Sequence, residues 1–281
     1  MSENHLTAPT RFIKVDGDSF AYRRWGSPTA GSVPLFFLQH FRGGMDNWDP
    51  HLTDGLAAGR EVILFNGRGI ASSSGTPRNR IEDMADDIAV VIRALGLSKV
   101  DVVGFSIGGL QAQEVTLRHP DLVRKLMLIG TGVKGGDPTM HPKTIAVASS
   151  PVPSAEDFLF LFFGRSEAAR KAGLEFWERR HLRVNQDPPS SLGVATAQQE
   201  AYAAYMQPLP GDKPYAFLNK ITQPALVVNG IDDVMIPTIN SLYLAQNVPD
   251  AQLILYPDAG HGAQFQYPER FLKHALQFLN E

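Results

Sequence analysis

The chain has 281 residues, 43% of them hydrophobic, which is enough for one large domain carrying an insertion. Its net charge of −3 and pI near 6.2 give no electrostatic reason to expect nucleic acid or an anionic membrane as partner. The absence of cysteine excludes disulfides, thiolate metal sites and cysteine nucleophiles.

In chain order, the segment Met1-Ser2-Glu3-Asn4-His5-Leu6-Thr7 lacks the basic start and apolar core of a secretory signal. No uncharged stretch is long enough to span a bilayer, so a soluble cytoplasmic protein is expected. A hairpin follows, with Asp16-Gly17 turning between residues 12–15 and 20–22. The apolar run Leu35-Phe36-Phe37-Leu38 reads as a strand and leads into Gln39-His40-Phe41-Arg42-Gly43-Gly44 and Asp46-Asn47-Trp48. A second such run, 61–65, precedes Asn66-Gly67-Arg68-Gly69-Ile70-Ala71-Ser72-Ser73. That glycine spacing suggests a dinucleotide fingerprint, but Ser72 stands where the third glycine should be and no other cofactor feature accompanies it. A helix is predicted over 81–95, a strand over 100–103, a helix over 110–117 and a strand over 126–129.

From about 133 to 219 the alternation of strand and helix stops. Pro142, Pro151, Pro153, Pro188 and Pro189 separate helical runs at 155–163, 167–181 and 192–206. Phe158, Phe160, Leu161, Phe162 and Phe163 are too many apolar residues for one face of a surface helix, so some must face a pocket or the rest of the molecule. Strands at 224–230 and 252–256 and a final amphipathic helix at 269–279 restore the alternation.

The chemistry concentrates at three places. Gly104-Phe105-Ser106-Ile107-Gly108 sits between a buried strand and a helix, the setting of a nucleophile elbow. There Ser106 occupies a strained turn, and a side chain at 104 or 108 is expected to collide across it. A serine hydroxyl needs a base, and the base an orienting acid. Among eight histidines, only His261 follows a strand on a glycine-flanked loop, Pro257-Asp258-Ala259-Gly260-His261-Gly262, whose small residues leave the imidazole room to swing. His5, in a tail-like segment, His119 and His274 read as solvated. The acid candidates, Asp232 and Asp233, adjoin just after the strand ending at Gly230.

These elements together resemble an α/β-hydrolase-fold serine hydrolase, over nearly the whole length. The resemblance implies a mostly parallel twisted sheet flanked by helices, with core at 1–132 and 220–281 and an inserted helical cap at 133–219. In the family the aspartate three after the glycine belongs to the triad, which here is Asp233. The oxyanion hole is then implied to use the backbone N–H of Ile107 and a second donor after the first parallel strand. Family members usually read His-Gly-x there. Aligning Asp46-Asn47-Trp48 with the family's Asp-x-Trp makes Phe41 that donor, while a shift of one residue makes it Arg42. His40 either lines the pocket or ties down the loop. Arg42 either recognises a substrate carboxylate or is a solvated or ion-paired group beside Asp46 and Asp49. Asn66 replaces the family's usual aspartate.

The expected activity is hydrolysis of a carboxylic ester or lactone of a mainly apolar small molecule through an acyl-enzyme, with no metal or organic cofactor. His40, Phe162, Trp177 and Met235 are candidate substrate contacts. The same triad also suits a C–C bond hydrolase or a cofactor-free perhydrolase or haloperoxidase, and a ligand receptor on this fold is a further alternative.

Overall fold

The computed structural model describes residues 3–150 and 152–281; Met1, Ser2 and Pro151, named above, lie outside them. The hairpin strands β1 (Arg11–Val15) and β2 (Asp18–Gly26) are followed by β3 (Leu35–Leu38), α1 (Pro50–Ala57), β4 (Glu61–Phe65) and α2 (Ile81–Ala94). Then come β5 (Val100–Phe105), α3 (Ile107–Arg118) and β6 (Val123–Ile129). Among the described residues, four α-helices intervene before the next strand: α4 (Thr144–Ala148), α5 (Ala155–Phe162), α6 (Glu167–Arg180) and α7 (Leu192–Tyr205). The chain closes with β7 (Ala225–Gly230), α8 (Ile239–Asn247), β8 (Ala251–Tyr256), α9 (Ala263–Gln266) and α10 (Pro268–Asn280).

The described strands form one eight-stranded sheet in the order β1-β2-β4-β3-β5-β6-β7-β8. Only the β1–β2 and β2–β4 pairs are antiparallel. Asp16 and Gly17, both at positive φ, make the hairpin turn that the Asp-Gly pair predicts. Helices cover both faces of the sheet, which is why β3, β5 and β7 are apolar almost throughout. Alternate residues part to opposite sides. Leu35 and Phe37 pack with α1 and α10, whereas Phe36 and Leu38 pack with α2 and α3.

The cap helices start where serines cap them. Ser154, Ser166 and Ser191 accept the backbone N–H groups of Asp157, Ala169 and Val194. Phe158 and Phe162 of α5 join the apolar cluster on the α1–α10 face, so the cap is packed continuously onto the core. The segment between α6 and α7 is tied down by polar contacts as well. Arg183 donates to the carbonyls of His5, Leu6 and Ala8, and Asp187 pairs with Arg23. His5 is therefore not solvated, contrary to expectation. It is 1% exposed, with Nδ1 2.8 Å from Thr53 Oγ1, and burial pushes its pKa down to about 3. His119 and His274 are half-buried rather than free, bonded to Asp86 and Tyr256. No helix among the described residues is long and apolar enough to cross a membrane.

Candidate active site

Ser106 stands between β5 and α3 with φ 58° and ψ −122°, a region that L residues rarely adopt. Its N–H donates to Ile129 O at 2.9 Å, and Thr131 Oγ1 donates to its carbonyl at 2.7 Å, so the end of β6 and the loop after it hold the strained turn. A Cβ at Gly104 would lie 2.5 Å from Gly108 O, across the turn as expected. At Gly108 the obstacle is different: a Cβ would meet Leu38 O, at the end of β3, at 2.3 Å. That glycine lets α3 approach the neighbouring strand.

His261 and Asp233 come together from the loops after β8 and β7. Their Nδ1 and Oδ2 atoms are 2.8 Å apart and both side chains are fully enclosed. Asp233 Oδ1 accepts the N–H groups of Met235 and Ile236 at 2.8 and 3.0 Å, which fixes the carboxylate. Asp232 is exposed and not part of this contact. The small residues around His261 do not leave the ring free. Gly262 N–H donates to Phe162 O at 2.8 Å, a Cβ at 262 would lie 2.9 Å from Phe162 Cβ, and the imidazole leans on Phe105 and Phe162. His261 Nε2 is buried without a hydrogen-bond partner among the described residues and lines the same cavity as Ser106.

The loop after β3 distinguishes the two oxyanion candidates. The Arg42 N–H is already taken, by Gln198 Oε1 at 2.7 Å. The Phe41 N–H has no acceptor among the described residues. His40 is 8% exposed, and Nδ1 lies 2.8 Å from Phe41 O. Burial pushes its pKa down to about 3, so the ring is neutral and Nδ1 donates. Arg42 forms no ion pair with Asp46 or Asp49, contrary to one expectation: those carboxylates serve Arg23 and Arg179. Asn66, 0% exposed, accepts Met45 N–H and donates to Asp187 Oδ2 at 2.7 Å and to Ser72 Oγ at 3.2 Å. An amide fits this position because an aspartate would face the Asp187 carboxylate.

Two cavities meet at Ser106. The first, about 270 Å3, includes His40, Phe162, Trp177, Met235 and His261 in its wall. The second, about 610 Å3, is mostly apolar and is lined by Leu110, Ile145, Ala203 and Met206 among others. Phe41, Ser106, Ala148 and Met235 border both. Of the cap phenylalanines, Phe158 and Phe162 reach the first cavity, whereas Phe163 packs on Phe176 and Phe160 on His141. The helical pattern could not divide them.

Sequence reasoning missed two polar groups in these walls. Arg180 at the end of α6 faces the first cavity, with its guanidinium over the rings of Phe158 and Trp177 at 4.3 and 5.2 Å. Its Nε and Nη1 are buried without hydrogen-bond partners among the described residues, and burial lowers its pKa to about 10. Tyr202 on α7 places a buried, unpartnered hydroxyl in the second cavity, where burial raises its pKa. Neither lies in a motif; only the spatial isolation of the polar atoms marks them. No group of three or more His, Cys, Asp or Glu side chains among the described residues could hold a metal ion.

This arrangement of elbow, histidine and sheet can be set beside known proteins. The alpha/beta hydrolase fold family matches residues 33–268. The chain belongs to that family. It is a hydrolase of the α/β fold, similar along 99% of its length to an alpha/beta hydrolase fold protein from Chitinophaga pinensis, at 37% identity and a TM-score of 0.90, with all of that chain covered. It is 27% identical to a 2-hydroxy-6-oxo-6-phenylhexa-2,4-dienoate hydrolase of Burkholderia cepacia, over 99% of each chain. A structure described as Est816, an N-acyl homoserine lactone degrading enzyme, is 26% identical with a TM-score of 0.73, over 95% of this chain and all of that one.

Proposed function

We propose that the protein is a serine hydrolase that cleaves a carboxylic ester or lactone of a mainly apolar small molecule through an acyl-enzyme. The observation that carries this is the enclosed His261–Asp233 pair, whose free Nε2 opens into the cavity that holds the strained Ser106. In this reading Ser106 Oγ attacks the carbonyl carbon while His261 Nε2 takes its proton. Asp233 holds the ring by Nδ1 and stabilises the imidazolium. The N–H groups of Phe41 and Ile107 receive the oxyanion. His261 then gives the proton to the leaving alkoxide and later takes one from the water that attacks the acyl carbonyl. The substrate's apolar part fills the larger cavity, consistent with the lactone-degrading relative.

The test is reaction with a fluorophosphonate, followed by turnover across a panel of esters and lactones. Labelling of wild type but not of Ser106→Ala, with turnover of panel members, supports the reading. A serine that neither labels nor turns over any member makes the protein a ligand-binding module on this fold.

One observation favours a second reading, hydrolysis of a C–C bond beside a ketone. Arg180 offers an unpartnered guanidinium to the smaller cavity, where an acidic substrate group would be paired. The Burkholderia cepacia relative is named for a substrate that carries both a phenyl group and a dienoate. Adding such a carboxylated diketone-type compound to the same panel separates the two readings by which bond is cleaved.

A further inference from the structure

The loop after β3 is held by the cap. Arg42 has φ +59°, a left-handed conformation that costs a side-chain-bearing residue energy unless its surroundings fix it. Each of the three hydrogen bonds it makes among the described residues goes to the section between β6 and β7. Its N–H donates to Gln198 Oε1 at 2.7 Å, its carbonyl accepts Ser190 Oγ–H at 2.8 Å, and its Nη1 donates to Ser150 O at 2.8 Å. The Phe41 carbonyl, on the same peptide plane as the Arg42 N–H, accepts from His40 Nδ1. That plane is therefore gripped at both edges, by a core histidine on one side and a cap glutamine on the other. The neighbouring plane presents the free Phe41 N–H.

We infer that Gln198, assisted by Ser190, is a positioning residue that aims the Phe41 N–H, so that the oxyanion hole is complete only when α7 is seated. The inference rests on the serine-hydrolase reading. Gln198 is 2% exposed and borders the larger cavity, on the same helix as Tyr202 and Ala203. An acyl group that fills this cavity bears on the helix that holds the loop. Without the glutamine acceptor, Arg42 loses the partner that fixes its N–H and relaxes towards negative φ. The Phe41–Arg42 plane then turns about the Phe41 Cα and drags the neighbouring plane, with its Phe41 N–H, out of line with the carbonyl oxygen.

The test compares Gln198→Met, which keeps shape but removes the acceptor, with Gln198→Glu, which keeps an acceptor. Losing a direct oxyanion donor costs about a hundred- to a thousand-fold in kcat, so misaiming one is expected to cost roughly ten- to a hundred-fold. Gln198→Met should show that loss in kcat, with KM little changed and weaker binding of a boronic acid that mimics the tetrahedral state. Gln198→Glu, which keeps an acceptor for the Arg42 N–H, should lose less in kcat than Gln198→Met and keep slow amide exchange at Arg42. Arg42→Gly, added to Gln198→Met, should recover part of the loss, because glycine adopts positive φ without penalty. A merely structural glutamine would give no such recovery. Unchanged kcat in folded Gln198→Met, a loss confined to KM, or no gain from Arg42→Gly overturns the inference. Amide exchange at Arg42 reads the clamp without turnover: it should be at least about tenfold faster in Gln198→Met, since the opened N–H loses its protection. If wild type hydrolyses nothing, the hydrolase reading fails, and unchanged exchange at Arg42 would overturn the clamp separately.

Discussion

Asp233 meets His261 through one carboxylate oxygen, at 2.8 Å, while its other oxygen is held by two backbone N–H groups of its own loop. The carboxylate therefore cannot turn away from the imidazole without breaking three hydrogen bonds. Asp232 next to it has its N–H on Ala259 O and its side chain towards solvent. Ser106→Ala, His261→Ala and Asp233→Asn should each lower kcat by at least about a thousandfold, and far from additively when combined, because the three groups act as a unit. Asp232→Asn should stay near wild type. Steady-state kinetics on purified, folded variants decides this, and a severe Asp232→Asn beside a mild Asp233→Asn would move the acid by one residue.

Arg180 separates packing from recognition. Two buried guanidinium nitrogens without acceptors among the described residues cost folding energy, whereas the stacking on Phe158 and Trp177 can be kept by an unbranched apolar chain. Arg180→Met is expected to leave the melting temperature unchanged or raise it. It should lower kcat/KM for a carboxylated substrate by roughly ten- to a hundredfold, about the 1.5–3 kcal/mol of a hydrogen bond to a charged group, and leave a neutral ester little affected. Equal losses on both substrates would assign Arg180 to packing alone.

The walls of the two cavities should set preference rather than reactivity. Ala203→Phe narrows the larger cavity and should disfavour bulky acyl groups relative to acetyl esters. Trp177→Ala enlarges the smaller one and should change the ratio in favour of substrates with a bulky group on that side. Under the proposed mechanism, contacts remote from the reacting carbonyl select and position the substrate, while Ser106 and its partners carry the bond chemistry. The ratio of kcat/KM values for a bulky and a small activated ester is the measurement. An unchanged ratio in both variants would restrict these side chains to holding the cap.

Asn66→Asp would restore the residue usual in the family and should nevertheless destabilise this chain. The new carboxylate would face Asp187 at the present 2.7 Å contact, in a site that is 0% exposed at residue 66. Two like charges there, or one carboxyl forced to stay protonated, should cost about 1–3 kcal/mol. Chemical denaturation at pH 7 reads it. Asp187→Asn in the same chain should recover part of the loss, since it removes the like charge together with a partner of Arg23.

Acid should weaken the fold through His5. Its pKa falls from 6.5 to about 3 on folding, because burial disfavours the cation. Between those values the unfolded chain holds a proton that the native chain lacks. Stability contributed by neutral His5 is thus complete above about pH 6.5 and is lost as pH drops towards 3, by up to about 1.4 kcal/mol per pH unit. Replacing it by His5→Gln should flatten the pH dependence of unfolding over that range. An unaltered slope would mean that His5 is protonated in the folded protein.

Local pattern in the sequence was sufficient for most of the strands, for the glycine-flanked serine between strand and helix, and for the strand-then-glycine setting of His261, whereas the sheet as a whole was implied by the family resemblance. Each of these depends on neighbours within one turn or one strand, where backbone geometry and hydrophobic periodicity act directly. Short helices such as α1 and α4 escaped because a few apolar residues do not establish a period. The cap's hold on the first loop was beyond reach, since Arg42 and Gln198 lie 156 residues apart and neither belongs to a motif. The same is true of Asn66 and Asp187, 121 residues apart, and of His5, which the sequence leaves in a tail and packing encloses. Burial and the partners of a polar atom are set by which distant segments the fold brings together. That is why the sequence could single out the settings of Ser106 and His261, and only the tertiary structure decided which charges are paired, which donor is free and which guanidinium faces the cavity beside Ser106.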